Sequence, residues 1–410
     1  MIRKFYEPKD NQFLIKFAKL ISPWALKYLY KIKEIQIDQK DIEKLKNLKN
    51  ERVILCPNHP TPNDPIIMFY LSKIIDYNFN YLAAWDIFVE KPIQGYIIQQ
   101  LGAYSIIRGT LDSDSFKKTI ELILKGKNYL VIFPEGDTSG LNEYLMPFQS
   151  GVIQLAFWAL DELNKQNNLQ NIFILPIAIK YKYLKDMKKE ILLALKRIEQ
   201  KLKIYNMENE KKDIYQRLLI IGENLLSIAE KFYNLKQVPN LSFNERLTRI
   251  KELIINKVAT YLDIKLKDNA NLLDKLRTLF NIINSIIYNE EYLLNKNTSG
   301  YEKKLYEEKK QELKNFYDDL QRVWKFIAIH EGYIKENPTD ERFLEVIKRI
   351  EWEIFSKEKL YSPLKVILKI GNEINLKDYY QEYKKNKKET VEYLTNELEN
   401  QVKEILTKIN

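Results

Sequence analysis

The sequence predicts an α/β fold: a mixed sheet covered by helices on both faces, with a large all-helical insertion or C-terminal helical domain. Three observations carry this expectation. Between residues 51 and 185, short apolar strand-like runs alternate with helical runs, the order that builds a sheet with helices on its faces. From 186 to about 360, long Lys/Glu-rich helical patterns replace the strands. A strand-like run then returns at Leu364 to Leu376, followed by a closing helical run from Lys388 to Ile409.

Taken in order, the chain opens on a basic leader. Residues 1–50 carry 12 Lys/Arg against 6 Asp/Glu, more than half of the net charge of +10 on a 410-residue chain. Within it, Phe13 to Ile21 and Pro23 to Tyr30 mix aromatic and aliphatic residues with lysines. The lysines leave no stretch of about 18 uncharged apolar residues to span a bilayer, and no small-residue cleavage pattern marks a secretory signal. Such a segment suits a helix lying among lipid headgroups. An ordinary docked terminal helix is the alternative. A pI of about 9.1 also raises nucleic acid as a partner, but no helix-turn-helix, zinc or RNA-binding pattern accompanies it, so no nucleic acid is expected.

The core follows. Strands are expected at Arg52–Pro57, Tyr81–Trp85, Ser105–Arg108, Tyr129–Phe133 and Ile172–Tyr181, with helices at Pro65–Ile75, Pro92–Leu101, Ser115–Lys125 and Gly151–Asn164. Pro65 and Pro92 fall in the first helical turn, where proline is favoured. Beyond 186, helices are expected at Lys188–Tyr205, Asp213–Leu235, Phe243–Leu262 and Tyr301–Tyr333, with loops at 206–213 and 297–300. Leu218, Ile221, Leu225 and Ala229 give one apolar face. His330, after Trp324, Phe326 and Ile329, reads as a structural histidine. The organisation is therefore a membrane-associating leader (1–50), a core (51–185), a helical insertion (186–360) and a return strand with closing helix of the same core (361–410). A separate C-terminal helical domain is the alternative.

Composition bounds the chemistry. At 45% hydrophobic and 12% aromatic residues, there is material for a substantial core, which excludes disorder over most of the length. The single cysteine, Cys56, cannot form an internal disulfide and suits a reducing, cytosolic setting. With two histidines and one cysteine, a zinc centre is not expected, nor is any cofactor.

Four short segments carry the candidate chemistry: Asn58-His59-Pro60-Thr61-Pro62-Asn63-Asp64, Gly102 to Gly109, Phe133-Pro134-Glu135-Gly136 and Pro176-Ile177-Ala178-Ile179. Three fall at or just past an expected strand end, where α/β sheets place their sites. The prolines stiffen the loop between His59 and Asp64, which can turn the carboxylate back on the imidazole. One ring nitrogen would then donate to Asp64 and leave the other to accept a proton. Helix capping by Asp64 and simple packing of His59 is the bland alternative. Arg108, leaving a strand beside Gly109, could hold a phosphate through paired hydrogen bonds or make a surface salt bridge. In the turn after Phe133, backbone N–H groups can meet an anion, while Glu135 can orient a hydroxyl or the arginine.

In this order the four segments resemble the glycerophospholipid acyltransferases, the lysophosphatidate (1-acylglycerol-3-phosphate) acyltransferase family. The resemblance covers about 51–181 well and the tail from 364 loosely. It implies an O-acyltransferase of phospholipid biosynthesis, peripheral on the cytoplasmic face of the cell membrane. His59 would deprotonate the acceptor hydroxyl, and Asp64 would orient His59. The hydroxyl would attack the thioester of acyl-CoA or acyl carrier protein, with no acyl-enzyme. Arg108, Glu135, Gly136 and Ser139 would hold the glycerol phosphate end of the lipid alcohol acceptor. Pro176 and Ile177 would help line the acyl chain. Two departures stand out. Where the family has Thr-Arg-Ser after Phe-Pro-Glu-Gly, this chain has Asp137-Thr138-Ser139, and Gln149 replaces a basic residue in Phe148-Gln149-Ser150-Gly151. Each charge-assisted hydrogen bond lost there would cost about 1.5–3 kcal/mol of binding, so the acceptor would be less anionic than lysophosphatidate unless basic residues of the insertion compensate. A non-phosphate lipid alcohol as acceptor, a thioesterase and a catalytically idle lipid-binding scaffold are the competing readings.

Overall fold

The computed structural model describes residues 4–108, 111–236, 238–293, 299–326 and 332–409, with the backbone alone over 288–293. Gly109 and His330 lie outside the described residues. The chain divides into two compact units, one of residues 3–184 with 362–410 and one dominated by 185–361.

The first unit runs α1 (Gln12–Tyr28), β1 (Ile32–Ile37), α2 (Gln39–Asn47), β2 (Arg52–Pro57), α3 (Asp64–Ile74), β3 (Phe79–Ala84), α4 (Trp85–Glu90), α5 (Pro92–Gln100), β4 (Ala103–Ile106), α6 (Ser113–Lys125), β5 (Tyr129–Val131), α7 (Gly151–Lys165) and β6 (Ile172–Tyr183). The second unit contributes α8 (Lys188–Lys201), α9 (Met207–Glu210), α10 (Ile214–Phe232), α11 (Phe243–Tyr261), α12 (Leu272–Leu293), α13 (Gly300–Lys325), α14 (Gly332–Lys335) and α15 (Asp340–Phe355). The chain then completes the first unit with β7 (Leu364–Ile370), β8 (Ile374–Asn375), a 3-10 turn at Leu376–Tyr379, α16 (Tyr380–Lys385) and α17 (Lys387–Lys408).

The strands form one mixed sheet in the order β1-β7-β6-β2-β5-β3-β4, with β8 beside β6. β2, β3, β4, β5 and β6 are mutually parallel, whereas β7 runs antiparallel to β6 and parallel to β1. Both faces are covered, and the period-two alternation of the central strands sorts their side chains. Ile54 and Cys56 of β2 face one core with α7 and α17, while Val53 and Leu55 face the other with α3. On β6, Leu175, Ile177, Ile179 and Tyr181 share the α3 side. A strand buried on both faces loses its polar positions, which is why β2 reads Val-Ile-Leu-Cys.

β1 and α2 lie inside the segment read as a leader. β1 is an edge strand whose Lys33 and Glu34 are exposed, and edges carry charge, so the run lacks the apolar signature of an interior strand. The strand-like run at 364–376 forms β7 and β8. Ile370 N–H donates to Asp41 Oδ2 (3.1 Å) and Lys369 pairs with Asp38, tying β7 to the start of α2. Of the helical run read at 301–333, α13 covers the residues to Lys325, and Gly332 and Tyr333 open α14, with 327–331 outside the described residues. The loop read at 206–213 holds the short α9, and α12 and α15 extend through stretches without a sequence assignment.

Candidate active site

His59 sits in the loop that leaves β2, and Asp64 opens α3. Two asparagines fasten adjoining loops to β6, Asn58 this one and Asn142 the segment between β5 and α7. Asn58 brackets Ile179, donating to its carbonyl (3.0 Å) and accepting from its N–H (2.6 Å). Asn142 does the same for Tyr181, at 2.6 and 2.7 Å. Pro57 of β2 pairs with Ile177, so the last residues of β6 run alongside the loop, about 3.3 Å per residue.

Asp64 is fully buried and does not cap α3, whose N-cap is Asn63 without a side-chain bond. Its carboxylate turns back instead. Oδ2 lies 2.8 Å from His59 Nδ1 and accepts from Thr61 N–H at 2.8 Å. Oδ1 accepts from the hydroxyls of Thr61 (2.9 Å) and Tyr181 (2.6 Å). An ionised carboxylate only accepts, so Nδ1 carries the proton and Nε2 presents its lone pair. Nε2 makes no hydrogen bond among the described residues. The imidazole retains 15% exposure and stacks on Phe133 at 4.1 Å between ring centres. Burial and the charge of Asp64 push the Tyr181 phenol well above its ordinary range, so Tyr181 keeps its proton and donates.

The turn after β5 closes over this loop. Glu135 is almost fully buried and spans two backbones, accepting from His59 N–H through Oε1 and from Met146 N–H through Oε2 (2.9 Å). Ser139 N–H donates to the His59 carbonyl at 3.0 Å, while its buried hydroxyl bonds to the Leu141 backbone. Gly136 adopts φ 77°, a conformation strained for L side chains, and a Cβ there would stand 1.8 Å from Gln149 Nε2 and push that amide aside. Gln149 in turn donates to the Glu135 carbonyl (3.3 Å). Glu135, Ser139 and Gln149 thus shape the loop that carries His59.

Arg108 stands past the end of β4, partly exposed. It pairs with Asp137 (2.7 Å) and Asp86 (3.4 Å), and donates to the Gly136 carbonyl (3.4 Å). Pro176 and Ile177, expected at an acyl pocket, are buried within β6. Ile177 packs in the core and its carbonyl accepts from Asn58 N–H (3.2 Å), while Pro176 accepts from Gly371 N–H (2.8 Å). Ile177 thus supports the His59 loop, while Pro176 ties β6 to the end of β7.

The structure therefore gathers His59, Asp64, Arg108, Glu135, Gly136 and Ser139 around the ends of β2, β4 and β5. The Acyltransferase family model matches residues 37–180. No curated protein matches the chain. The acyltransferase segment starts at the end of β1 and stops within β6, so Tyr181 lies one residue beyond it. Tyr181 and Thr61 are the site residues without a sequence assignment. The signal for Tyr181 was its phase: it continues the Leu175, Ile177, Ile179 face towards the side on which α3 begins.

Proposed function

We propose that this acyltransferase moves a fatty acyl group from the thioester of acyl-CoA or acyl carrier protein to the hydroxyl of a lysophospholipid, with His59 as general base. The observation that carries the reading is the His59 Nδ1–Asp64 contact of 2.8 Å on a fully buried carboxylate, with Nε2 left to accept a proton. The acceptor hydroxyl gives its proton to Nε2 as its oxygen attacks the thioester carbonyl. The tetrahedral intermediate collapses, the C–S bond breaks, and the departing thiolate takes the proton from His59. Asp64 stabilises the imidazolium between the two steps, and no residue is acylated. General-base assistance of this kind contributes about 10²–10⁴ in rate.

One observation favours a second reading of the acceptor. Arg108, expected to grip a phosphate, already faces two carboxylates, which suits an uncharged lipid alcohol in place of a phosphomonoester. The cytoplasmic membrane surface as the place of action draws support from α1. Phe13, Phe17, Leu20, Trp24 and Tyr28 are exposed at helical spacing, alongside Lys16 and Lys27, the pattern of a helix lying in a lipid interface. Among the described residues no helix is long and apolar enough to cross a membrane.

The test is thiol release from a long-chain acyl-CoA, and separately from acyl carrier protein, with a panel of acceptors on vesicles. Turnover that needs lysophosphatidate supports the first reading, and turnover only with uncharged acceptors supports the second. Release that is independent of every acceptor, yielding fatty acid, would make the enzyme a thioesterase and overturn both.

A further inference from the structure

The helical unit holds an apolar space of its own. α10, α11, α13 and α15 surround a cavity of about 300 Å³, walled by residues such as Leu218, Leu225, Phe243 and Ile254. Gly222 of α10 keeps the wall thin, since a Cβ there would stand 2.8 Å from the Phe243 ring. Ile228 and Phe232 also line it and remain 50% and 69% exposed, so the opening is apolar too. A cleft of this size lies at the small end of ligand sites. One turn of helix, 5.4 Å long and about 10 Å wide, would already overfill it. At about 30 Å³ per water-sized group, the space takes a chain of about ten methylenes.

Charge names the other end of the occupant. Three cationic or anionic side chains line the cavity: Lys251, Arg322 and Glu353. Arg322 and Glu353 meet each other at 3.3 Å. Lys251 is 8% exposed and makes no hydrogen bond or ion pair among the described residues. Burial alone draws its pKa down to about 8, which still leaves the ammonium mostly charged at neutral pH. A buried charge without a partner is costly, and an anion in the cavity would supply one.

We propose that this cavity binds a single-chain amphiphile with an anionic head, a fatty carboxylate of about ten to twelve carbons, its tail between α10 and α11 and its head on Lys251. The site is separate from His59 and does not depend on the reaction assigned to that residue.

The experiment is calorimetric titration of the full chain with dodecanoate, and with dodecanol as the neutral match, below their aggregation concentrations. The expected result is saturable one-to-one binding of dodecanoate. Lys251→Met should weaken dodecanoate at least tenfold and leave dodecanol unchanged, while Ala229→Trp, which fills the cavity, should abolish both. Leu225→Trp serves as the second filling variant should Ala229→Trp lose its native melting transition. Absence of saturable binding to the wild type, equal dodecanoate affinity in Lys251→Met, or full binding in a folded cavity-filling variant would each overturn the proposal.

Discussion

Exchanging Asp64 for Asn removes a charge and keeps its shape. Four donors converge on this carboxylate, with Thr61 N–H and His59 Nδ1 on Oδ2 and the hydroxyls of Thr61 and Tyr181 on Oδ1. An amide satisfies the same shell with its oxygen at Oδ2 and its NH₂ at Oδ1, because both hydroxyls can turn and accept. The opposite flip would set NH₂ against the Thr61 N–H, donor against donor. Asp64→Asn should therefore fold, with a melting temperature within a few degrees of wild type. What disappears is the attraction between Asp64 and the imidazolium formed when His59 takes the acceptor proton. With charge centres about 4 Å apart and an effective dielectric of about 20, that attraction is about 4 kcal/mol. At about 1.4 kcal/mol per decade, kcat should fall about 10³-fold, with little change in KM for either substrate. Acceptor-dependent thiol release at saturating substrate reads this directly. A folded Asp64→Asn enzyme within about threefold of wild-type kcat would refute the His59–Asp64 reasoning.

Three further outcomes follow from the same geometry. Tyr181→Phe removes one donor to Asp64 and leaves Thr61 on the same oxygen; kcat should drop about tenfold with KM unchanged, and stability by about 1.5 kcal/mol in urea unfolding, whereas wild-type values for both would deny Tyr181 its positioning role. Asp137→Asn releases Arg108 from its 2.7 Å partner; KM for a phosphate-bearing acceptor should fall about tenfold while that for a neutral acceptor stays put, and an equal change in both would disconnect Arg108 from the acceptor head. The pKa of Lys251 is held near 8, against about 10.4 for an ordinary lysine. Between those values the unfolded chain binds a proton that the folded chain does not, so stability rises with pH across that window. Wild type should gain up to about 3 kcal/mol relative to Lys251→Met between pH 7.5 and 10.5, and parallel stability profiles would contradict the burial of an unpaired ammonium.

Most of the sheet was legible because its central strands are buried on both faces. Arg52–Pro57 coincides with β2, and the runs at 129–133 and 172–181 mark β5 and β6 within two residues. The edge strand β1 was not, since its Ile-Lys-Glu-Ile-Gln-Ile run reads like a solvated helix face, and the other edge strand, β4, was read two residues late. His59 and Asp64 could be paired from sequence because only one stiff loop separates them. The partners of Asp64 beyond that loop could not. Tyr181 lies 117 residues away, and its contact rests on β6 overrunning β2 in the sheet. Arg108 was placed correctly at a strand end, but its neutralisation by Asp86 and Asp137 depends on how α4 and the turn after β5 approach each other, a tertiary matter. Glu135 reads from sequence as a side chain facing substrate. Its burial against the His59 and Met146 amides is visible only once the two loops are superposed.

The measurement that bears most directly on His59 as the base is acceptor-dependent thiol release by wild type and His59→Ala, with the acceptor that wild type uses best. The account predicts robust release in wild type, a fall of at least 10²-fold in kcat in His59→Ala without loss of the folded state, and no acylated enzyme in either protein by intact-mass analysis. Release by a folded His59→Ala at a rate close to wild type, or a stable acyl-enzyme, would contradict it.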